Sequence, residues 1–312
     1  MTSKPEIEGK NLIDRLLERS LDKGGIYSEV TASQGMAKTS VLLTFTDLTR
    51  KNHPNEKIFW REQLDAPLQI FKLGEGKYHF LVMEGSGAVF RDRSNHLAEV
   101  TNLPITYFKS KEIVKTVLQG KKLVPVTEII PDFQDLWDKS KPGVANVVFF
   151  GDEFFWLDFI HWLRNVGEWV NIFIDELADI APAVCKGDLY HRILKFAGDM
   201  GAVRRCMMNA MTDTQTVQDV HWSVRKKVMM KIFLPGAIAD KYSRVTQEAI
   251  DNLLKDNVNG NEAYLDFGGT FGRVQFRTIY KPNQLRHIEC HILPKEDVDG
   301  GEETTPTTND LC

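Results

Sequence analysis

Short apolar runs alternate with amphipathic segments along most of the chain. The runs have the length of buried strands, and residues 169–174 (Trp-Val-Asn-Ile-Phe-Ile) are the clearest example. Between the runs, apolar residues recur at helical spacing, as in 153–165 and 189–200. Because strands and helices alternate, we predict an α/β fold with a mostly parallel sheet and helices on both faces. Residues 262–267 and 273–280 would close the sheet as a terminal antiparallel hairpin.

A candidate phosphate-binding loop joins the first predicted strand, 25–31, to a predicted helix, 39–50. Its sequence resembles the pattern G-x-x-x-x-G-K-[ST], with alanine at both glycine positions. Backbone N–H groups of the loop would face the β-phosphate of a nucleotide, Lys38 would reach the β- and γ-phosphates, and the Thr39 hydroxyl would ligate Mg²⁺. The predicted nucleotide-binding residues are Ala32, Ser33, Gln34, Gly35, Met36, Ala37, Lys38, Thr39 and Ser40.

The two alanines of this loop stand at positions with different backbone requirements. We expect Ala37 to begin the helix, where a Cβ atom is tolerated. Ala32 would occupy the tight turn, where a positive φ costs a residue with a Cβ atom about 1 kcal/mol. A plain helix start with an exposed Lys38 is the alternative interpretation of the whole segment.

Two adjacent carboxylates, Asp175 and Glu176, follow the apolar run 169–174. In open α/β sheets, ligands bind at the carboxyl ends of the strands, where these side chains would lie. Asp175 would hold Mg²⁺, and Glu176 would act as general base on the attacking water. A strand that ends in Asp-Glu is common by itself, so the upstream loop is what makes a site for ATP and Mg²⁺ the favoured interpretation.

A third predicted strand, 205–211, leads into the polar segment 212–215 (Thr-Asp-Thr-Gln). A polar side chain at this strand end would contact the γ-phosphate and position water, and Asn209 and Gln215 are the two candidates. The separation of Lys38 from Asp175 is 137 residues, which leaves room for at least one more strand between the two motifs.

These three motifs, in this order, resemble the additional-strand, catalytic-glutamate division of P-loop NTPases. Within it, residues 168–235 look most like the FtsK/HerA class. Three features carry this resemblance: the segment VNIFIDELADIAP, the basic turn in GDMGAVRRCMMNA, and Thr214-Gln215. The resemblance implies a RecA-like ATPase domain that assembles as a hexameric ring. It also implies ATP hydrolysis that translocates or packages double-stranded DNA, in a protein encoded by a virus or plasmid.

The resemblance assigns roles to individual residues. These are Lys38 and Thr39 for phosphate and magnesium, Asp175 for the metal through water, Glu176 for activation of water, and Gln215 or Asn209 as sensor. A ring ATPase also needs a cation from the neighbouring subunit to stabilise charge on the transferring phosphoryl group. Arg204 and Arg205 fit this role by position, with Arg192 and Arg225 as alternatives, and each could instead be a solvated surface arginine.

A locally basic stretch occurs in a chain whose formal net charge is −4. It comprises Arg204, Arg205, Arg225, Lys226, Lys227 and Lys231. Because the chain has no global basic excess, any contact with nucleic acid must be local. The stretch could contact DNA phosphates near a pore or form an ordinary solvated face, and the sequence leaves both interpretations open.

The length of 312 residues suits one large domain with short appendages. We predict a helical lead-in over 1–23, an ATPase domain over 24–294 with an unmatched insert at 55–145, and an acidic disordered tail over 295–312. No stretch approaches 18 consecutive apolar residues, the N-terminus does not resemble a signal peptide, and the four cysteines lack C-x-x-C spacing. We therefore expect a cytoplasmic protein without a membrane segment.

One group of residues resembles a set of zinc ligands: His287, Cys290 and His291. In a strand the two histidines share a face while Cys290 points to the other, so an ordinary strand is preferred over a metal site.

Two alternative functions remain beside the DNA motor. The altered phosphate loop favours a nucleotide-binding switch or a Zot-like assembly ATPase that does not act on DNA. A non-catalytic scaffold is the other, although a decayed site has no reason to keep Lys38, Thr39, Asp175 and Glu176 together. Nothing in the sequence identifies a docking protein.

Overall fold

A computed structural model describes most of the chain. The described residues are 10–64, 67–74, 76–83, 88–92, 105–106, 123–124, 132–150, 154–240, 243–256, 262–275 and 288–292. Their helices are α1 (Lys10–Leu17), α2 (Lys38–Asn52), α3 (Phe133–Lys139), α4 (Phe155–Leu163), α5 (Gly187–Ala202), α6 (Trp222–Arg225) and α7 (Gln247–Asp256). Their strands are β1 (Tyr27–Thr31), β2 (Lys57–Arg61), β3 (Tyr78–Val82), β4 (Ala88–Asp92), β5 (Ile105–Thr106), β6 (Leu123–Val124), β7 (Ala145–Phe149), β8 (Val170–Ile174), β9 (Met208–Thr214), β10 (Met230–Phe233), β11 (Glu262–Phe267), β12 (Thr270–Gln275) and β13 (Ile288–Ile292).

The main sheet has ten strands, in the order β12-β11-β10-β1-β9-β8-β2-β7-β3-β5. Every neighbouring pair from β10 to β5 is parallel, whereas β10-β11 and β11-β12 are antiparallel. The prediction of a mostly parallel sheet with a terminal hairpin is confirmed, although the second hairpin strand begins at Thr270 rather than at residue 273.

Helices cover both faces of this sheet because side chains alternate along each strand. In β2, Ile58 and Trp60 belong to the apolar cluster that includes residues of α2. Phe59, between them, belongs to the cluster that includes residues of α4 and α5. Burying each of these large side chains contributes about 1.5–3 kcal/mol, so both helical layers are held to the sheet by apolar packing.

The strand order decides which motifs become neighbours. β9 lies between β1, which leads into the candidate loop, and β8, which ends before Asp175. On the other side of β8 lies β2, which comes from the predicted insert, 55–145. That segment also supplies β3 and β5, so it contributes three strands of the main sheet and is not simply an insertion outside the core.

A second, antiparallel sheet contains β13, β4 and β6, in that order. The segment around Cys290 and His291 is therefore a strand, as preferred over a zinc site. Residue His287, the side chains of this strand and the predicted tail, 295–312, lie outside the described residues. No helix in the described part of the chain is both long enough and apolar enough to cross a membrane.

Candidate active site

The candidate phosphate-binding loop connects β1 to α2, as predicted. Within it, the Met36 N–H donates a hydrogen bond to the Ser33 carbonyl (3.3 Å), and Gly35 has a φ of 79°. The Ser33 hydroxyl donates to the carbonyl oxygen of Gly236 (2.6 Å), which fixes the loop to the segment after β10. Residues 33–35 are exposed, so the loop stands open to solvent before the first turn of a 15-residue helix. The N-terminus of such a helix favours bound anions.

The two alanines of the loop exchange the roles predicted for them. Ala37 has φ 62° and ψ 24°, the left-handed conformation, directly before α2. Ala32 is fully buried and is not among the described non-glycine residues with a positive φ, which are Ala37, Glu176 and Met207. The expectation that Ala32 occupies the strained turn is therefore wrong. The chain reverses immediately before the helix, so the backbone strain falls on the alanine beside Lys38.

Replacing Ala37 by glycine is expected to stabilise the protein by about 0.5–1 kcal/mol. Glycine adopts the left-handed conformation without the penalty of about 1–2 kcal/mol that a Cβ atom brings, and the gain is reduced because glycine is more flexible in the unfolded chain. The measurement is the urea midpoint of Ala37→Gly. The control is Ala32→Gly, expected to destabilise because Ala32 is buried with an ordinary φ. Destabilisation by both would contradict the expectation.

Asp175 and the first turn of α2 are in direct contact. The Thr39 hydroxyl donates a hydrogen bond to Oδ1 of Asp175 (3.0 Å), and this carboxyl is only 4% exposed. Burial raises the pKa of Asp175, while contacts with the Asp213 carboxyl and the Thr39 hydroxyl and the positive charges of Arg61 and Lys38 oppose that rise. A hydroxyl and a carboxylate side by side are oxygen ligands of the kind that Mg²⁺ binds.

Glu176 is held by its backbone in an uncommon conformation. Its φ is 57°, and its N–H donates to Oδ1 of Asp213 (2.6 Å). Its carbonyl oxygen accepts from Nη1 of Arg61 (3.3 Å), and its Oε2 accepts from Nε2 of Gln215 (3.5 Å). Burial raises the pKa of Glu176, and the charge of Lys38 opposes this shift. A half-buried carboxylate with a raised pKa, beside a phosphate-binding loop, can accept a proton from water.

Two charged residues at the end of β2, Arg61 and Glu62, were not predicted from the sequence. Arg61 is 4% exposed, donates through Nη1 to the Asp175 carbonyl, and pairs through Nη2 with Oδ2 of Asp179 (3.0 Å). Its guanidinium thus binds the turn that carries the two candidate carboxylates, Asp175 and Glu176. The signal was available, because Arg61-Glu62 follows the apolar strand in the same way that Asp175-Glu176 follows β8.

Glu62 serves the local structure beside the site. Its carboxyl accepts hydrogen bonds from the N–H groups of Gln69 (2.8 Å) and Ile70 (3.1 Å), and from Nε1 of Trp60 (3.1 Å). Burial, followed by the negative charge of Asp175, raises the pKa of Glu62 to about 8. The carboxyl thus caps the 3-10 helix Gln69–Leu73.

Asp213 is the third residue that the sequence analysis did not assign. It is fully buried, and its Oδ2 has no hydrogen-bond partner among the described residues. Burial, and then the negative charge of Asp175, raise the pKa of Asp213 well above its ordinary value. The sequence signal was hidden because the predicted strand ended at residue 211, whereas β9 continues to Thr214.

The two sensor candidates lie at opposite ends of β9. Gln215 follows the strand and contacts Glu176, as described above. Asn209 is the second residue of β9; its Oδ1 accepts from the Ile26 N–H (3.0 Å) and its Nδ2 donates to Oδ1 of Asn171 (3.2 Å). At about 3.3 Å per residue, Asn209 is roughly 17 Å from the carboxyl end of the strand. The assignment of Asn209 as sensor is therefore wrong, because β9 begins three residues later than predicted.

The candidate arginines also differ in position. Arg204 and Arg205 precede β9, at the sheet edge opposite the phosphate loop of the same chain, and Nε of Arg204 donates to the Lys23 carbonyl (2.8 Å). Arg192 pairs with Asp158 and Asp188. A role for any of them in a neighbouring subunit stays a prediction.

The strand order and the loop together decide the fold. The order β10-β1-β9-β8-β2 places the loop after β1 and the carboxylates after β8 at one edge of a parallel sheet, with Thr39 touching Asp175. The chain has the RecA-like fold of a P-loop NTPase. In this fold Mg²⁺ is held by the hydroxyl residue after the loop lysine and by the aspartate of the second motif, and Thr39 and Asp175 fit that role.

The sequence matches no protein-family model and no curated protein. Among solved structures, the chain is similar to the genome packaging NTPase B204 from Sulfolobus turreted icosahedral virus 2, with 10% identity and a TM-score of 0.48 over 81% of this chain and 98% of that one. A DnaB-like replicative helicase has 13% identity and a TM-score of 0.42, over 88% of this chain and 62% of the helicase chain. The N-terminal domain of zonular occludens toxin from Neisseria meningitidis has 11% identity and a TM-score of 0.35, over 88% of this chain and 98% of that domain. At these scores, the functional interpretation rests on the site itself.

Proposed function

We propose that the chain is an ATP-hydrolysing, FtsK/HerA-like motor that translocates or packages double-stranded DNA as a hexameric ring, encoded by a virus or plasmid. The observation that carries the ATPase is the contact between Thr39 and Asp175, with Glu176 held beside it. The position of β9 between β1 and β8 supports the additional-strand division, and Glu176 beside Asp175 supports its catalytic-glutamate character.

The proposed hydrolysis assigns a role to each side chain. Loop N–H groups and Lys38 bind the β- and γ-phosphates, and Thr39 and Asp175 hold Mg²⁺. Mg²⁺ held by these two residues would supply positive charge that offsets the negative charge of the phosphates. Glu176 accepts a proton from the water that attacks the γ-phosphate in line, and Gln215, whose amide contacts Glu176, orients that water and the γ-phosphate.

The coupling to DNA rests on the local basic residues and on the class that the sequence resembles. The second candidate, a nucleotide switch or Zot-like assembly ATPase without DNA, is favoured by one observation. Ala37 holds a left-handed conformation where the consensus has glycine, so this loop is strained at the residue before Lys38.

The test is ATP hydrolysis by the purified chain with and without double-stranded DNA, beside Lys38→Ala as a control for contaminating ATPase. Double-stranded DNA is expected to stimulate turnover, and Lys38→Ala to abolish it, because the variant lacks the cation that reaches the phosphates. Turnover that DNA does not change would favour the second candidate. A folded wild-type chain without turnover in either condition would overturn the proposed motor.

A further inference from the structure

A large groove lies beside the candidate active site, over β10 and β11. Its volume is about 980 Å³, at the upper end for binding sites. Lys231 of β10 lines it, whereas the next residue, Ile232, belongs to the apolar cluster that contains α2. Because successive side chains alternate, the groove lies on the sheet face away from α2. We call it the Trp222 groove, after the residue of α6 in its wall.

The cations of the Trp222 groove outnumber the carboxylates that could neutralise them. Lys231 pairs with Asp240, and the backbone N–H of Arg244 donates to Oδ2 of Asp266 (2.9 Å). The guanidinium of Arg225, in contrast, makes no hydrogen bond or ion pair with any residue that the structure describes, and only the backbone of this residue is hydrogen-bonded. The groove is therefore locally positive in a chain with a net charge of −4.

An exposed aromatic side chain, Trp222, contacts one of the cations of the groove. Trp222 is 49% exposed, and the Lys226 ammonium lies 4.5 Å from the centroid of its ring. An exposed aromatic ring with cations nearby is the combination that binds nucleic-acid strands, because bases stack on the ring while phosphates contact the charges.

Both walls of the groove are continuous with the nucleotide site. Val217 and Gln218 line one side and follow Gln215, whose amide contacts Glu176. The other side includes Ala239, Asp240 and Arg244, which follow Gly236 in the chain, and the carbonyl of Gly236 accepts a hydrogen bond from the Ser33 hydroxyl. A ligand in the groove would thus contact two segments that also contact the loop and the proposed base.

We propose that the Trp222 groove is the nucleic-acid contact of this motor, with Arg225 and Lys226 on backbone phosphates and Trp222 against an unpaired base at an end or single-stranded stretch of the DNA. The inference rests on the proposed DNA-dependent function and adds the residues that bind. It also divides the basic stretch of the sequence into two parts, because Arg204, Arg205 and Lys227 do not line the groove. Only the part in the groove then contacts DNA.

The test compares two double variants with the same change of charge. Arg225→Ala/Lys226→Ala removes two groove cations, and Arg205→Ala/Lys227→Ala removes two cations of the same basic stretch outside it. Binding of labelled single- and double-stranded oligonucleotides is measured by fluorescence anisotropy at several salt concentrations. The groove variant is expected to reduce the slope of log K against log salt by about 2, since each phosphate contact contributes about 0.9. The matched control is expected to keep the wild-type slope.

Trp222→Ala gives an independent readout, because it removes the stacking surface and changes no charge. It is expected to weaken binding of single strands roughly tenfold or more without changing the salt slope. Trp222→Phe should restore most of that affinity. Circular dichroism confirms that the variants fold.

Three results would contradict the proposal that the groove binds DNA. If the control variant loses the slope and the groove variant keeps it, the DNA contact lies at Arg205 and Lys227, outside the groove, and the proposed motor is retained. Equal losses in both would show an effect of total charge alone. If the wild-type chain binds no oligonucleotide, both the groove proposal and the DNA part of the proposed function are wrong. The ATPase part is tested separately, by hydrolysis in the absence of DNA.

Discussion

Replacing Glu176 by glutamine is expected to lower ATP turnover by about 10²–10⁴-fold while ATP binding is retained. Glutamine keeps the size of the side chain and can still contact Gln215, but it cannot accept a proton from the attacking water. Lys38, Thr39 and Asp175 are unchanged, so the affinity for ATP should stay within a few-fold. Phosphate release in a single turnover measures the chemical step, and a fluorescent ATP analogue measures binding.

The matched control for this variant is Asp179→Asn. Asp179 lies three residues further along the same turn, and its side chain is 46% exposed and pairs with Arg61. Its substitution also removes one negative charge, so a purely electrostatic effect on the site would slow both variants alike. Turnover of Asp179→Asn close to wild type supports the role of Glu176 as base. A Glu176→Gln variant that hydrolyses ATP at the wild-type rate would rule that role out.

The second large effect is expected at Asp213, which we predict to position Glu176 without touching the nucleotide. Asp213→Val keeps a similar volume and suits a strand, but it leaves the Glu176 N–H without an acceptor. A buried unpaired donor costs about 1–3 kcal/mol, and the left-handed turn at Glu176 loses a restraint. The turnover number should therefore fall by about 10- to 100-fold, with little change in ATP affinity.

Asp213→Asn separates positioning from charge, since its amide oxygen can still accept from the Glu176 N–H. This variant is expected to recover most of the turnover lost in Asp213→Val. Urea unfolding of both variants shows whether the loss follows from global instability. If the asparagine variant is as slow as the valine variant at equal stability, the negative charge of Asp213 matters, and the hydrogen bond alone does not explain its role.

The sequence predicts the parts of this site that are local in the chain. The loop before Lys38 and the carboxylates after β8 are each short motifs, and their shared sheet edge follows from parallel pairing. Gln215 was found in the same way. Strand ends were predicted less well. Met207 has a positive φ, and β9 begins after it, three residues later than predicted. Asn209 therefore lies at the amino end of β9 and not at the carboxyl end, where the candidate active site is.

Contacts that depend on the order of strands could not be predicted from local patterns. Arg61 reaches the turn at Asp175 only because β2 lies beside β8, although the two strands are more than 100 residues apart. The left-handed φ of Ala37 depends on how the chain leaves β1 and enters α2, which the consensus pattern does not specify for alanine. The Trp222 groove combines segments around residues 217, 231, 240 and 268, so no single motif indicates it.

The place of β9 between β1 and β8 has a consequence for how such a site tolerates change. Neighbouring strands are about 4.8 Å apart, so the strands that carry the loop and Asp175 are separated by about 10 Å. The distance between the two sides of the proposed cation site is thus set by the backbone of β9, a strand that supplies no metal ligand. A one-residue insertion in β9 would misplace Asp213 and Gln215 together and alter the gap that Thr39 spans to Asp175. The length of this strand is therefore constrained as tightly as the identity of a metal ligand.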